Sequence, residues 1–149
     1  MLDISTLTIA LYNLLVTAFA ASTEVVERGT RINFDPAIAM DGWVGVYPNT
    51  VESTPRAMGG NAWKDEPVLQ VVVQAGSYSN DGTEASDALE ARIKTVLDTV
   101  VADLTLGVTG VRVVRFSREY RYVVFDDDGS GDLFMPQAII KLFLEVRSN

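Results

Sequence analysis

The most regular hydrophobic pattern in the chain predicts a helix from Asp87 to Leu104. Apolar residues recur there every three or four positions, which places them on one face of a helix. Glu90 and Lys94 stand four positions apart on the opposite side, an acid-before-base pair that suits an exposed helix surface. The segment is therefore predicted to pack on a sheet through its apolar face, which carries Leu89, Ile93, Val96, Leu97, Val100 and Leu104.

A second helix is predicted from Ile4 to Thr23, with Ser5 or Thr6 as its N-cap. This segment is apolar on most of its circumference, and such a helix is buried on two sides. One side can pack on the sheet, and the other is expected to lie either in the chain's own core or against a neighbouring subunit. The first side carries Leu7, Leu11, Leu14, Leu15 and Ala18, and the second carries Ile9, Tyr12, Val16 and Phe19.

The apolar run from Leu7 to Ala21 ends in small residues, as an export signal does. However, the only charge ahead of it is Asp3, whereas an export signal begins with basic residues. The run is also too short and too polar to span a bilayer. We therefore expect neither a signal peptide nor contact with a membrane.

Alternation of apolar and polar residues predicts four strands, two before and two after the helix from Asp87 to Leu104. Pro136 suits an edge position or a bulge in the last strand. The order of elements predicts a single domain over residues 1–149 of the α+β class, with a four-stranded, mainly antiparallel sheet and two helices packed on one face. The predicted strands run from Trp43 to Tyr47, Val68 to Ala75, Val111 to Phe125 and Leu133 to Arg147.

Two stretches lack a sustained period. The stretch from Glu24 to Met40 is interrupted by Gly29 and Pro36, and it is either a solvated loop or a contact surface. The stretch from Val51 to Glu66 has little to bury and is predicted to be a long loop. Long loops in compact domains are usually functional or mobile, so we expect a partner to order this one.

Composition narrows the range of functions. Of the 149 residues, 48% are hydrophobic and the mean hydropathy is +0.16, so we expect some apolar surface to be shared with other subunits. The net charge of −8 argues against a dedicated nucleic-acid binder, which needs a basic surface. The chain has no cysteine and no histidine, which excludes disulfides, Cys/His zinc sites and histidine-based catalytic triads.

The acidic segment from Asp126 to Asp132 is the one motif that suggests a ligand. Asp126, Asp128, Ser130 and Asp132 alternate as calcium ligands do, with glycines between them. A calcium loop of the EF-hand type needs a glutamate at position twelve and flanking helices, whereas here position twelve is Gln137 and the flanks are strands. A hairpin turn is the favoured interpretation, because aspartate and glycine are common turn residues.

Other chemistry has weaker support. No pair of carboxylates stands in an apolar setting that would favour hydrolysis. Tyr120 and Tyr122 could stack on bases beside the nearby arginines, but a sheet surface is the favoured interpretation. Residues 112, 115, 118 and 121 are arginines, and in a strand this period of three spreads them over both faces. They are therefore not predicted to form a basic stripe.

The order of elements resembles the tail terminator proteins of long-tailed bacteriophages, in particular the lambda-type ones. The resemblance is carried by Trp43-Val44-Gly45-Val46-Tyr47, by the strand from Leu69 to Ala75 and by the helix start from Ser86 to Ile93. Its most specific part is Tyr120-Arg121-Tyr122, followed by Asp126-Asp127-Asp128 and a glycine, and then by a final alternating strand.

This resemblance implies a structural virion protein with no enzymatic activity and no cofactor, in the phage tail or neck. It implies a ring, usually hexameric, that caps the tail tube, stops tube polymerisation and presents a docking surface to the head–tail connector. Its partners would be its own copies, the tail tube protein and the connector protein, with DNA only as cargo passing through an acidic lumen. The particle would be assembled in the host cytoplasm.

Candidate contact residues follow from this interpretation. Arg28 and Arg31 are predicted to contact a neighbouring subunit. Partner contacts are predicted in the long loop at Arg56, Trp63 and Lys64, and in the acidic turn at Asp126, Asp127 and Asp128. Two alternatives remain open: another head-to-tail joining or tail completion protein, and a small ligand-binding or hydrolase domain of the α+β class.

Overall fold

A computed structural model describes residues 3–29, 42–55, 63–76, 83–127 and 131–146. Two helices and five strands lie in these ranges, so the predicted α+β class is confirmed. The elements are α1 (Ile4–Ala18), β1 (Val25–Arg28), β2 (Trp43–Pro55), β3 (Trp63–Gln74), α2 (Thr83–Ala102), β4 (Val111–Asp127) and β5 (Gly131–Val146).

The sheet has the order β1-β2-β3-β5-β4, so the predicted count of four strands was wrong. The additional strand is β1, which pairs parallel to β2 while all other pairs are antiparallel. Backbone hydrogen bonds fix both of its ends, from Val25 to the Gly42 carbonyl at 2.9 Å and from Gly29 to the Val46 carbonyl at 3.0 Å. A strand of four residues is too short to show a period, and therefore pairing with β2, rather than sequence pattern, defines it.

Both helices pack on one face of the sheet, here called the helix face. α1 contacts β1 and β2, whereas α2 contacts β5 and β3, so the helices lie side by side. The predicted apolar face of β3 is confirmed, because it is fully buried beneath them. The main core consists of Leu7, Leu11, Leu15 and Phe19 of α1, Leu89, Ile93, Val96 and Val100 of α2, and the strand residues Val44, Val46, Leu69, Val71, Val73, Val111, Val113, Ala138, Ile140, Leu142 and Leu144.

The opposite face of the sheet, here called the outer face, carries a smaller cluster around Trp43. The indole is fully buried with Val72 and Ile139, and its Nε1 donates to Glu27 Oε2 at 3.2 Å. Gly45 makes this position possible, because a Cβ there would overlap the Trp43 ring. The indole therefore covers the backbone of its own strand and links β2 to β1.

Asp3 caps α1, rather than the predicted Ser5 or Thr6. Its carboxylate accepts from the Ser5 amide at 3.0 Å and from the Ser5 hydroxyl at 2.7 Å. These hydrogen bonds hold the pKa of Asp3 below its usual value. The helix ends at Ala18, five residues before the predicted Thr23. α2 likewise begins at Thr83 and ends at Ala102, each earlier than predicted.

Strands β2 and β3 extend into the stretch that was predicted to be a long loop from Val51 to Glu66. β2 continues past Pro48 to Pro55, with a register shift between Pro48 and Thr50, and β3 begins at Trp63. The prediction failed because residues 51–54 and 64–66 are mostly polar. Antiparallel backbone pairing does not require an apolar face where a hairpin extends beyond the core. Only residues 56–62 between the strands lie outside the described part.

Pro136 lies in β5, between β3 and β4, so the predicted edge position was wrong. Its carbonyl accepts from the Ala75 amide at 3.2 Å, on the side where β3 ends. The amide and carbonyl of one strand residue point to the same side. A backbone N–H at position 136 would therefore point to the end of β3, where no further strand residue would accept its hydrogen bond. Proline, which lacks this N–H, is tolerated here for that reason.

Arg92 connects α2 to the start of β1 and the end of β3. Its Nε donates to Glu24 Oε1 at 3.0 Å, and its Nη1 donates to the Gln74 carbonyl at 3.3 Å. A Cβ at Gly42 would approach the guanidinium to 2.5 Å, and the φ angle of Gly42 is +95°. The close approach and the left-handed backbone both require glycine just before β2.

Candidate assembly surfaces

The outward side of α1 is an uncharged surface. The twenty residues between Asp3 and Glu24 carry no charged side chain. Ile9 and Val16 point away from the sheet, and each is 40% exposed. Of the predicted second side of the helix, Phe19 and Tyr12 pack in the chain's own core, whereas Ile9 and Val16 are left exposed.

In the part of the chain that the structure describes, β4 forms an edge of the sheet, because its only neighbour there is β5. It is 17 residues long, and the backbone groups along its free edge are not used by another strand of the sheet. The apolar side chains of Val114 and Tyr122 are exposed along it. Long exposed edges can pair with another chain, and natural proteins protect them with charged side chains. On β4 these are Arg112, Arg115, Arg118 and Arg121, all of which are exposed.

The sequence predicted that these arginines would be spread over both faces of the strand, and this is confirmed. They do lie on both faces: Arg112, Arg115 and Arg121 pair with Glu145, Phe143 and Gln137 on the outer face, and Arg118 pairs with Ile140 on the helix face. At the edge of a sheet, long side chains from either face can reach the same solvent-exposed border. A strand with charged residues on both faces was the available signal of an edge position.

Aromatic residues occupy the helix face at the end of β4. The Tyr122 ring stacks with Phe134 of β5 at a centroid distance of 6.0 Å. A hydrogen bond from Tyr120 to the Glu90 carboxylate of α2 raises the pKa of the tyrosine above its ordinary value, and partial burial adds to this effect. The edge strand is thus linked to α2 within the same chain.

Of the predicted subunit contacts, Arg28 is exposed and ends β1. It lines a shallow hollow of about 270 Å³ with Ile4 and Thr8 of α1 and with Pro48 of β2. The guanidinium therefore lies beside the start of α1, where it could contribute to a contact surface. Arg31 lies outside the described residues.

The other predicted contacts are only partly described. Lys64 lies on β3, where it forms an exposed ion pair with Glu66 at 3.0 Å, and Trp63 begins this strand opposite Pro55. Neither residue lies in a loop, contrary to the prediction. Arg56 lies outside the described part of the chain.

The acidic turn is shorter than predicted. Asp126 and Asp127 belong to β4 and pair with Asp132 and Gly131 of β5. The backbone of this segment is therefore a hairpin, as favoured, and not a twelve-residue calcium loop. Asp128 lies outside the described residues.

A cleft of about 360 Å³ opens on the outer face beside Glu52, Glu66 and Glu145. Basic groups accompany these carboxylates. Lys64 pairs with Glu66, the Arg115 guanidinium lies 3.8 Å above the Phe143 ring, and Arg112 is the cross-strand neighbour of Glu145. This mixed and open setting differs from the apolar pocket that raises a carboxylate pKa for acid catalysis.

In the described ranges, no three acidic side chains are grouped in a way that could hold a metal ion. None of the helices in those ranges has the length and apolarity that crossing a membrane requires.

Comparison with known proteins supports the fold. No protein-family model matches the chain, and no curated protein matches it. One solved structure, which carries no functional description, is 19% identical, with a TM-score of 0.51 over 100% of this chain and 99% of that chain. A chain in the virion of a native gene transfer agent particle is 13% identical, with a TM-score of 0.37 over 93% of this chain and 94% of that one. The first likeness shows the fold alone, and the second is too weak to bear on function.

Proposed function

We propose that this chain is a structural, non-enzymatic subunit of a phage virion that forms a homo-oligomeric ring of the tail terminator kind. The ring, of six subunits, would cap the tail tube, stop its polymerisation and provide the docking surface for the head–tail connector. The resemblance in the sequence suggests the family. The free edge of β4 is the structural observation that supports assembly.

A ring of identical subunits needs two different surfaces that meet head to tail. β4 provides one long surface at one end of the sheet. The uncharged side of α1 lies over β1 and β2, towards the other end. A subunit joined to its neighbours through β4 would keep α1 available for a second component, and the tail tube protein is the component that the proposal requires.

Assembly can be tested on the purified chain. Light scattering after size exclusion and negative-stain microscopy are expected to show a closed ring of one subunit type. A strict monomer at every concentration up to the millimolar range would contradict the proposal and would favour the ligand-binding or hydrolase alternative.

The role in the virion can be tested by deleting the reading frame from the genome that encodes it. A tail terminator predicts overlong tails, because nothing stops the tube. Tails of normal length that stay unattached would instead indicate a head-to-tail joining protein. Particles of normal form and number would contradict both roles.

The contact through α1 can be tested with a matched pair of variants. Val16→Lys places a charge at the centre of the uncharged surface, whereas Thr6→Lys places the same charge on an exposed position at its border. We expect intact rings from both, with overlong tails only from Val16→Lys. Equal tail lengths in the two variants would show that α1 does not contact the tube.

A further inference from the structure

The arginines of β4 are a concentration of positive charge on an acidic protein. Four of the twelve basic residues lie on this one edge, whereas the whole chain carries a net charge of −8. Among the described residues, Arg112 and Arg118 have no ion-pair partner, and Arg121 lies 3.7 Å from Glu119 in an exposed pair. The four arginines thus outnumber the nearby acids, which are Glu119 on the same strand and Glu145 opposite Arg112, and the edge keeps a net positive charge.

α2 presents the opposite charge on its outward side. The exposed residues there include Glu84, Asp87, Glu90 and Asp98. Lys94 is the basic residue among them, and its pair with Asp98 at 2.6 Å neutralises one of the four acids. Glu90 accepts a hydrogen bond from Tyr120 of the same chain. A net negative surface therefore remains on the first half of the helix, with Glu84 and Asp87 as its two acids that make neither contact.

The acidic surface is shorter than the arginine edge. From Glu84 to Glu90 the helix rises about 9 Å, at about 1.5 Å per residue, whereas from Arg112 to Arg121 an extended strand spans about 30 Å, at about 3.3 Å per residue. The acidic residues can therefore face only part of the edge. Exposed apolar side chains accompany the charges, Val101 on α2 and Val114, Tyr120 and Tyr122 on β4. An apolar contact beside opposite charges is the usual arrangement of a protein interface.

We infer that the free edge of β4 in one copy docks on the acidic side of α2 in a second copy. The inference rests on the proposed ring and names the surfaces that meet in it. Because strand edge and helix side are different surfaces, each added copy leaves one of each unused, and the contact repeats until the ring closes. Pairing of two β4 edges would instead bring arginines together, which is unfavourable.

Charge reversal distinguishes this contact from simple protection of the edge. Protection against unwanted pairing works with charges of either sign, whereas docking on an acidic surface requires positive charge. Arg112→Glu with Arg118→Glu is therefore expected to weaken subunit association on the order of a hundredfold. The control, Arg112→Lys with Arg118→Lys, keeps the sign of the charge and is expected to assemble.

A compensating exchange gives the decisive result. The double variant Glu84→Lys with Asp87→Lys is expected to weaken subunit association to a similar degree. If lysines at the start of the helix impair folding, the neutral double variant Glu84→Gln with Asp87→Asn replaces it in this measurement. Combining the two arginine reversals with the two lysine substitutions keeps the net charge at −8, because four charges are lost and four are gained. The combined variant is expected to assemble into the ring again. Thermal melting serves as the control that each variant is folded.

The outcomes separate this inference from the proposed function. A wild-type chain that never assembles contradicts the ring itself. A ring that tolerates the arginine reversals leaves the proposed function in place and overturns the contact between β4 and α2. Loss of assembly that the combined variant fails to restore also overturns it, because the arginines then meet a different surface. Tight binding of the wild type to duplex DNA, abolished by the reversals, would assign the edge to nucleic acid instead.

Discussion

Replacing Arg92 by methionine tests the connection between α2, β1 and β3. Methionine keeps most of the apolar stem but removes the charge and the donors to Glu24 and to the Gln74 carbonyl. The side chains of Arg92 and Glu24 are 11% and 13% exposed, so the remaining carboxylate would be largely buried without its cation. Breaking such a pair from one side costs about 3–5 kcal/mol. We expect about 3 kcal/mol, because water still reaches both groups.

A loss of this size lowers the melting temperature by roughly 6–12 °C for a chain of this length. It can be measured by urea unfolding followed by circular dichroism and tryptophan fluorescence. Lys94→Met is the matched control, since it removes a cation from the same helix. The Lys94–Asp98 pair is 75% and 64% exposed, and its loss is expected to cost less than about 0.5 kcal/mol.

The pH dependence identifies the origin of the loss. Burial acts to raise the pKa of Glu24. Hydrogen bonds from Ser22, from a backbone amide and from Arg92 lower it, as does the positive charge of Arg92. These effects outweigh burial, so the pKa of Glu24 lies below 4.5. The ionised carboxylate therefore stabilises the fold above pH 4.5, and this contribution is lost as the pH falls through the lowered pKa. The gap between wild type and Arg92→Met should consequently narrow on acidification. A gap that is as large in acid as at neutral pH, or one below about 1 kcal/mol at neutral pH, would refute the ion pair as its cause.

Three further predictions concern separate parts of the chain. Gly45→Ala should displace the Trp43 ring, destabilise the fold by about 1–3 kcal/mol and shift the indole fluorescence to longer wavelength; an unchanged spectrum would contradict the contact. Leu11→Ala, at a fully buried position of α1, should cost about 2–5 kcal/mol in urea unfolding, and a loss below 1 kcal/mol would show that α1 does not complete the core. Tyr120 should ionise above its ordinary pKa of 10.0 in an ultraviolet titration, and Glu90→Gln should lower that pKa; the same value in both proteins would exclude the hydrogen bond.

The sequence predicted the parts of the fold where one face is buried. The apolar stripe of α2, including Leu89 and Val96, and the alternation in β3 and β5 placed the core correctly, because burial imposes a helical period or strict alternation on a sequence. The extended ribbon of β2 and β3 left no such pattern. Glu52 and Glu66 are register partners with little to bury, so only the backbone pairing reveals the strands.

The candidate surfaces were less predictable, since exposure at an edge depends on which strands are neighbours. β4 follows α2 in sequence, and nothing in its own residues states that β5 lies between it and β3. The arginines at positions 112 and 118 could therefore indicate an edge strand, but not which strand lies beside it. The N-terminal helix was partly predictable: of its predicted second side, Phe19 is buried in the chain's own core, whereas Ile9 and Val16 are exposed.

The position of β5 has a consequence for how the chain folds. β4 is translated before β5, yet β5 is its only neighbour among the strands of the described ranges. β3 likewise gains its second neighbour only when β5 inserts between the two. Until then the apolar residues Leu69, Val71 and Val73 lie next to an open strand edge in the nascent chain. Sheets closed by a late, distant strand fold slowly and expose aggregation-prone edges in the meantime. Expression yield should therefore depend on temperature and on chaperone supply more steeply than the stability of the finished fold alone would suggest.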